Sequence, residues 1–164
     1  MRPSKPGDPG IVLGRDLDFL RELWALDHAL QKLSKKMERT LGVSGPQRLA
    51  LRLVARFPGL PAGRLARLMS LHASTVSGLV KRLADRGLIT RDFDAPDRRR
   101  CQLRITPRGL ELLAAHQPTI ESAVVSALRA IAPRKVEAAG RVLAAVTLSL
   151  EIPPPVGDDI RHLP

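Results

Sequence analysis

The stretch that most constrains the fold is residues 60–106, where a short helix, a turn, a second helix and a β-hairpin are predicted in succession. The second helix is expected to run from about Ala73 to Arg86, because its apolar residues follow the i, i+3, i+4, i+7 spacing of one buried stripe. This stripe consists of Val76, Leu79, Val80 and Leu83. Gly87 follows at the place where a left-handed glycine commonly ends a helix. The pattern predicts a helix-turn-helix followed by two paired strands.

The other side of this second helix carries short hydroxyls near its start and two cations further along. A helix in a DNA major groove uses such hydroxyls at base edges and such cations at phosphates. The residues predicted to contact DNA here are His72, Ser74, Thr75, Ser77, Gly78, Lys81 and Arg82. For His72, which precedes the helix, an imperfect cap is the alternative. Gly78 costs roughly 1 kcal/mol of helix propensity relative to alanine, and in return it allows the backbone to approach DNA closely.

The predicted hairpin pairs a strand that begins at residues 88–90 with one at residues 101–106, through a turn at residues 94–100. Three consecutive arginines stand in that turn. The narrow minor groove of DNA attracts arginine, so the turn is predicted to contact DNA, with a solvated turn as the alternative. The residues concerned are Asp97, Arg98, Arg99 and Arg100.

The positive charge of the chain is concentrated in the same region. The whole sequence has 27 lysines and arginines and 16 acidic residues, a net charge of +11. Residues 44–109 hold 14 of these cations and 4 of the acidic residues, a net charge of +10. A basic surface confined to one module is typical of a protein that binds a polyanion, although a solvated basic surface is the alternative.

The stretch resembles the winged helix-turn-helix of the MarR family of bacterial transcription regulators. The resemblance rests on short motifs in a fixed order, namely Leu65-Ala66-x-x-Met69, Ser74-Thr75-Val76-Ser77, Leu79-Val80-x-Arg82-Leu83, Arg86-Gly87-Leu88-Ile89, Asp97-x-Arg99 and Leu103-x-Ile105-Thr106-Pro107-x-Gly109. It implies a homodimer that binds a pseudo-palindromic operator and is often released by a small ligand. It also implies that Asp97 steadies the wing by charge pairing and that Arg99 enters the adjacent minor groove. In weaker form it extends from about residue 16 to residue 151.

The chain is expected to divide into five parts. Residues 1–14 and 152–164 lack a helical or strand pattern and are predicted to be a disordered lead and a tail. Residues 44–106 form the predicted DNA-binding region. Residues 15–43 and 107–151 are predicted to hold helices of a dimerisation region, because they carry more apolar surface than one small domain needs. The fold class is mainly α (α+β), a winged helix-turn-helix with flanking N- and C-terminal helices.

Within the flanking parts, the apolar spacing predicts individual helices. A helix is expected over residues 16–41 with a coiled-coil-like seam, either shared with a partner chain or packed on its own domain. The seam residues are Leu23, Leu26, Leu30, Leu33 and Met37. Thr106-Pro107 is predicted to start a further helix, Pro118 to kink or split it, and Ala132-Pro133 to start the last one.

Residues 44–69 are expected to form two shorter helices. Ser44-x-x-Gln47 is a capping-box pattern that predicts a helix start. The core residues expected after it are Leu49, Leu51, Leu53 and Val54, and a basic edge is expected from Arg48, Arg52 and Arg56, lying near a phosphate backbone or solvated. Leu60-Pro61 is expected to open the next helix. That helix should pack on the second helix through Leu65, Ala66, Leu68 and Met69.

For a small ligand, the resemblance points to a pocket between the dimerisation helices and the winged-helix domain, where family members often bind aromatic carboxylates or phenols. The candidate wall residues are Trp24, His28 and Arg52. Plain core packing is the alternative for these positions.

The sequence indicates neither an enzyme nor a cofactor site. Its four histidines form no H-E-x-x-H pair, and there is no P-loop, G-x-G-x-x-G or G-x-S-x-G motif, so no catalytic residue and no metal site are predicted. The single cysteine, Cys101, excludes an intrachain disulfide. Arg98, Arg99 and Arg100 nearby are expected to lower its pKa if it senses oxidants, whereas a small strand residue is the alternative. Without a signal-peptide core or an apolar run of membrane length, a cytoplasmic protein is expected.

These observations favour a homodimeric, DNA-binding transcription regulator, most simply a ligand-responsive repressor whose partners are double-stranded DNA and a small aromatic or phenolic effector. Two alternatives remain open. One is an architectural protein that binds DNA without sequence preference, and the other is a degenerate family member that acts as a protein-interaction module.

Overall fold

The computed structural model describes residues 13–94 and 97–151, apart from the side chains of residues 93–100. The chain divides into two compact units, of which the first ends at Ile120 and the second begins at Glu121. The elements of the first unit are α1 (Arg15–Leu41), α2 (Gly45–Arg56), β1 (Leu60–Pro61), α3 (Ala62–Met69), α4 (Ala73–Asp85), β2 (Ile89–Asp94), β3 (Asp97–Ile105) and α5 (Pro107–Ala114). α6 (Ile120–Leu128) starts at the boundary, and α7 (Pro133–Glu151) lies in the second unit. The predicted mainly α fold with a small sheet is confirmed.

The connection between α1 and α2 is built by local sequence. α1 ends at Gly42, whose φ of 72° is left-handed. The predicted capping box then starts α2, because the backbone N–H of Ser44 donates to Oε1 of Gln47 at 2.9 Å. The backbone N–H of Gly45 donates to Oγ of Ser34 at 2.8 Å, and this bond fastens the first turn of α2 to α1.

The sheet has three antiparallel strands in the order β1-β3-β2. The prediction that Leu60-Pro61 opens a helix is wrong, because these two residues form β1, with Leu60 opposite Leu103. Proline is tolerated there because an edge strand does not need every backbone N–H for pairing. The helix α3 therefore begins one residue later, with the extended Pro61 before its first turn.

The strands of the hairpin are longer than predicted. β2 continues to Asp94 and β3 begins at Asp97, so residues 97–100 belong to a strand and not to the turn. Pairing runs from Ile89 opposite Ile105 to Asp94 opposite Asp97, with an irregularity in register between Phe93 and Asp94.

One hydrophobic core fills the first unit between the helices and the sheet. Its buried residues include the predicted stripe of α4, together with Val43, Ala50, Leu51, Val54, Leu65, Leu88 and Leu103. Two predicted core residues are instead exposed, Leu49 at 45% and Leu68 at 48%. In α2 the buried face follows residues 47, 50, 51 and 54, and the helical period turns residue 49 away from it. In α3 Leu68 lies at the margin of the face formed by Leu65 and Ala66.

The predicted helices of the second half are also found. The helical path is broken as expected near Pro118, because α5 ends at Ala114 and α6 begins at Ile120. The last helix starts at Pro133 and runs to Glu151, and many of its apolar residues are exposed in the single chain, with Leu150 at 77%. No described helix is both long enough and apolar enough to cross a lipid bilayer.

Candidate nucleic-acid interface

The helix α4 presents one apolar face to the core and one polar face to solvent. Its four predicted stripe residues are buried. The residues predicted to contact DNA lie on the opposite face, and the exposed ones are Ser74, Thr75, Ser77, Lys81 and Arg82. Burial of the stripe fixes the rotation of the helix, so the hydroxyls and cations project together from one side. This arrangement can offer hydrogen bonds to base edges and positive charge to phosphates.

The start of α4 is formed by an unusual turn. Ser70 ends α3 with a φ of 51°, the only left-handed residue other than glycine in the described ranges. His72 then occupies the N-cap position with extended backbone, is exposed and makes no capping hydrogen bond through its side chain. Its imidazole is therefore not used to cap the helix, and a DNA contact by His72 stays a prediction.

The end of α4 follows the predicted glycine stop. Gly87 has a φ of 66°. The backbone N–H of Leu88 donates to the carbonyl oxygen of Leu83 at 3.0 Å, and that of Gly87 donates to Ala84 at 2.8 Å. This pair of bonds is the Schellman motif, which satisfies the last carbonyl groups of a helix. The chain thereby turns directly from α4 into β2.

Charged side chains near this face have different partners. Nζ of Lys81 lies 2.8 Å from Oδ2 of Asp85, one helical turn further along. Both side chains are exposed, so this ion pair contributes little stability and Lys81 can exchange Asp85 for a phosphate. On the hairpin, Nε of Arg104 donates to Oδ2 of Asp92 at 3.1 Å, a contact between β3 and β2. The sequence pattern does not predict this cross-strand pair.

Four predicted DNA-contacting residues lie at the hairpin end. The backbone of Asp97, Arg98, Arg99 and Arg100 belongs to β3. Their side chains lie outside the described residues, so their contacts stay predictions. Arg91 on β2 is a further exposed cation, which the sequence motifs do not mark as a contact residue. Together with Ser77 of α4 it lines a surface cavity of about 250 Å³, which places it beside the polar face of α4.

Cys101 lines the same cavity and is half-buried. Burial raises the pKa of its thiol above the ordinary value, Arg91 acts in the lowering direction and Asp92 in the raising direction. Desolvation of the thiolate outweighs the attraction of Arg91. The side chains of Arg98, Arg99 and Arg100 lie outside the described residues, so their predicted lowering effect stays a prediction. A raised pKa keeps the thiol protonated and slow to react at neutral pH.

The prediction of a basic edge on α2 is wrong at Arg48, because this residue is only 2% exposed. Its Nη1 and Nη2 donate to the carbonyl oxygens of Leu112 and Leu113, each at 2.9 Å. Arg48 is therefore part of the protein interior. Arg52 and Arg56 on the same helix are exposed.

The three residues suggested as walls of a ligand pocket are all exposed. Trp24 and His28 lie on α1, with Trp24 at 66%, and Arg52 lies on α2. Neither the cavity beside Arg91 nor a second one of about 210 Å³ beside Phe57 and Arg64 is lined by any of them. Among the described residues no group of three or more histidine, cysteine or acidic side chains is placed to hold a metal ion.

The chain shares sequence and fold with known regulators. Residues 41–100 match the model of the MarR family. A protein of Thauera aromatica named as a transcriptional regulatory protein for the hcr operon is 35% identical over 97 residues, which is 59% of this chain and 56% of the relative. The transcriptional regulator HosA of Escherichia coli O157:H7 is 32% identical over 77 residues, 47% of this chain and 57% of HosA. The chain thus spans slightly more than half the length of these curated relatives.

Solved structures extend the similarity beyond the matched segment. MepR of S. aureus in complex with DNA aligns over 84% of this chain and 99% of its own, with a TM-score of 0.65 and 22% identity. PcaV of Streptomyces coelicolor with its natural ligand aligns over 86% and 98%, with a TM-score of 0.65 and 25% identity. Residues 41–100 thus match the MarR family over the helix-turn-helix, and the chain shares its fold with these solved regulators.

Proposed function

We propose that this protein is a transcription regulator that binds a pseudo-palindromic operator as a homodimer and acts as a ligand-responsive repressor. The observation that carries the proposal is the exposed face of α4, on which Ser74, Ser77 and Arg82 lie together opposite the buried stripe. In a helix-turn-helix protein such a face enters the major groove, and the two copies of a dimer read half-sites about 34–36 Å apart.

Charge supports the same function. Residues 44–109, which include α4 and the hairpin, carry a net charge of +10. Neutralised phosphates release counterions, so binding by such a surface should weaken steeply with salt. The MepR neighbour is a structure of a protein with this fold on DNA. Asp97, Arg98, Arg99 and Arg100 are proposed as the minor-groove and phosphate contacts of the wing.

Exposed apolar side chains support the homodimer. On α1, Phe19, Leu20, Trp24, Leu26 and Leu30 are exposed in the single chain. Apolar patches of this kind are typical of protein–protein interfaces. We propose that a second copy of the chain covers this part of α1, with the apolar residues of α7 contributing to the interface.

A small aromatic or phenolic effector is proposed as the switch. The PcaV neighbour was solved with its natural ligand, so a protein of this fold holds a ligand. Trp24, His28 and Arg52 are the proposed wall residues, because they combine an aromatic face, an imidazole that can hydrogen-bond and a cation that suits a carboxylate. A regulator of this kind works on chromosomal DNA, which is consistent with a cytoplasmic location.

The test is binding of the purified protein to its own upstream DNA and to a scrambled duplex, over a series of salt concentrations. A preference of about 1000-fold or more with a steep salt dependence is expected for a specific regulator. Equal, salt-sensitive binding to both duplexes would favour the architectural alternative. No binding to either would favour the protein-interaction module. Light scattering of the same sample measures the dimer, and addition of aromatic carboxylates and phenols to the bound complex measures the effector response.

A further inference from the structure

A buried arginine holds the end of the first unit. Arg48 lies in the first turn of α2, and its side chain is one of the largest fully buried in the described chain. Both terminal nitrogens of its guanidinium donate to carbonyl oxygens of α5, Nη1 to Leu112 and Nη2 to Leu113, each at 2.9 Å. Hydrogen bonds from a cation are shorter and stronger than neutral ones. This contact therefore fixes the last turn of α5 relative to α2.

The sequence of α5 explains why it needs a cation from another helix. The last four carbonyl groups of a helix lack partners within it, and positive charge is favourable at that end. α5 has no basic residue in its last turn and ends at Ala115 rather than at a glycine. The N–H of Ala115 donates to the carbonyl oxygen of Leu112 over a long 3.4 Å. Arg48 supplies the missing charge and donors.

The first turn of α2 also contacts the chain where it leaves the first unit. A Cβ built on Gly45 would lie 2.5 Å from Cδ1 of Ile120, so the side chain of Ile120 packs directly on the Gly45 backbone. Thr119, the residue before it, is buried. We call residues 112–120 the exit segment. Arg48 holds its beginning and Gly45 holds its end, so α2 fixes the segment at both ends.

We propose that Arg48 is a positioning residue for operator recognition. It keeps the exit segment in one path, and this path sets the direction in which the chain leaves the unit that carries α4 and the hairpin. In a homodimer this sets the distance at which the two copies of α4 are held. The inference rests on the proposed operator-binding homodimer. Because its side chain is buried, Arg48 acts on DNA recognition without touching DNA.

The experiment compares Arg48→Met, Arg48→Lys and the wild-type protein on operators whose half-sites are moved apart or together by one or two base pairs, and on a single half-site. The two DNA-binding units of a dimer gain about 100-fold or more in affinity only when both can bind at once. The wild type should therefore discriminate strongly between half-site spacings. We expect Arg48→Met to reduce this discrimination to less than about tenfold while its half-site affinity stays within about twofold of wild type. Arg48→Lys, which keeps the charge, should lie between them.

Arg108→Met is the matched control, since it makes the same substitution at an exposed position in the first turn of α5, the helix that Arg48 contacts. It should keep the wild-type spacing preference. If Arg48→Met does not fold, Arg48→Lys decides the question. Unchanged spacing preference in a folded Arg48 variant, or a parallel loss of half-site binding, would overturn the positioning role.

Amide hydrogen exchange gives a readout that does not depend on DNA. Exchange of the hydrogen-bonded amides of Ala115 and Gln117 should become about tenfold faster or more in Arg48→Met, while α4 keeps its wild-type protection. Equal exchange of the exit segment in both proteins would overturn the inference. If the wild type prefers no operator at all, the proposed function fails, and this exchange comparison still decides whether Arg48 holds the exit segment.

Discussion

Arg48 and Leu112 are 64 residues apart in the sequence, and the guanidinium Nη1 of one lies 2.9 Å from the carbonyl oxygen of the other. Moving a charged guanidinium out of water is costly, and the cost is offset only when its donors are used and the local field is favourable. Here two carbonyl groups at the negative end of α5 provide both conditions. The contact joins α2 to α5 across the first unit.

Replacement of Arg48 by methionine should lower the free energy of unfolding by about 2–4 kcal/mol, because hydrogen bonds to charged groups contribute roughly 1.5–3 kcal/mol each and the apolar side chain recovers part of that loss. Urea titration followed by circular dichroism measures the change. Arg108→Met should differ from wild type by less than about 0.5 kcal/mol. A loss of the same size in both variants would mean that the Arg48 contacts contribute no stability of their own.

Local sequence patterns predicted the elements that depend on neighbouring residues. The stripe of α4, the glycine stop at Gly87, the capping box of α2 and the start of α5 at Thr106-Pro107 are all confirmed. Thr106 shows the reason, since its Oγ1 accepts from the N–H of Gly109 at 3.1 Å and donates to the oxygen of Gly87 at 2.7 Å. A capping residue carries its own donor and acceptor, so its role can be read from a few positions.

The errors come from contacts between distant parts of the chain. Helical spacing places Arg48, Arg52 and Arg56 on one edge, but only the position of α5 decides that Arg48 is buried. Pairing with Leu103 makes a strand of Leu60, although the sequence there suits a helix start. The pKa of Cys101 is raised mainly by burial. This burial depends on how the hairpin packs, which the sequence does not show.

Gly87→Ala should destabilise the protein by about 1 kcal/mol, since an L-residue in the left-handed region costs roughly 1–2 kcal/mol and alanine recovers part through a less flexible unfolded chain. A Cβ at Gly87 would meet no atom within 4 Å, so the effect is conformational rather than steric. Gly63→Ala is the control, because Gly63 lies in α3 with equally open space and without a left-handed φ. In thermal unfolding, Gly87→Ala should have a lower midpoint than Gly63→Ala. Equal midpoints would contradict a conformational cost at the left-handed φ of Gly87.

Cys101 should react slowly with iodoacetamide at neutral pH. Its pKa is raised mainly by burial, so the rate should rise with pH at a higher midpoint than for the urea-unfolded chain. Because the folded state holds the thiol proton more tightly, the thiol's stabilising contribution is present below the unfolded pKa and is lost as pH rises through the folded one. A midpoint lower in the folded protein would instead support an oxidant-sensing thiolate.

Arg99→Ala should weaken operator binding by at least ~1 kcal/mol and reduce the salt slope by about 1, as expected for the loss of one phosphate or minor-groove contact. Fluorescence anisotropy at several salt concentrations measures both quantities. Arg134→Ala removes the same charge from the first turn of α7, outside the first unit, and should leave the slope unchanged. Equal affinity of Arg99→Ala and wild type at moderate salt would reject the wing contact.

Gly78→Ala should separate stability from DNA binding. Gly78 lies inside α4, and a Cβ there would meet no atom within 4 Å, so alanine should raise the free energy of unfolding by up to about 1 kcal/mol through helix propensity. If the glycine is there to let DNA approach the backbone, the same methyl group should lower operator affinity by about tenfold, or about 1.4 kcal/mol.

The control is Gly140→Ala in α7, where space is also open and the same gain in stability is expected without an effect on DNA. Chemical unfolding measures stability and operator titration measures affinity for both variants. Gly78→Ala should gain stability and lose affinity only if the α4 backbone lies against DNA. A Gly78→Ala protein that is more stable and binds the operator as tightly as wild type would show that no close approach occurs at this position.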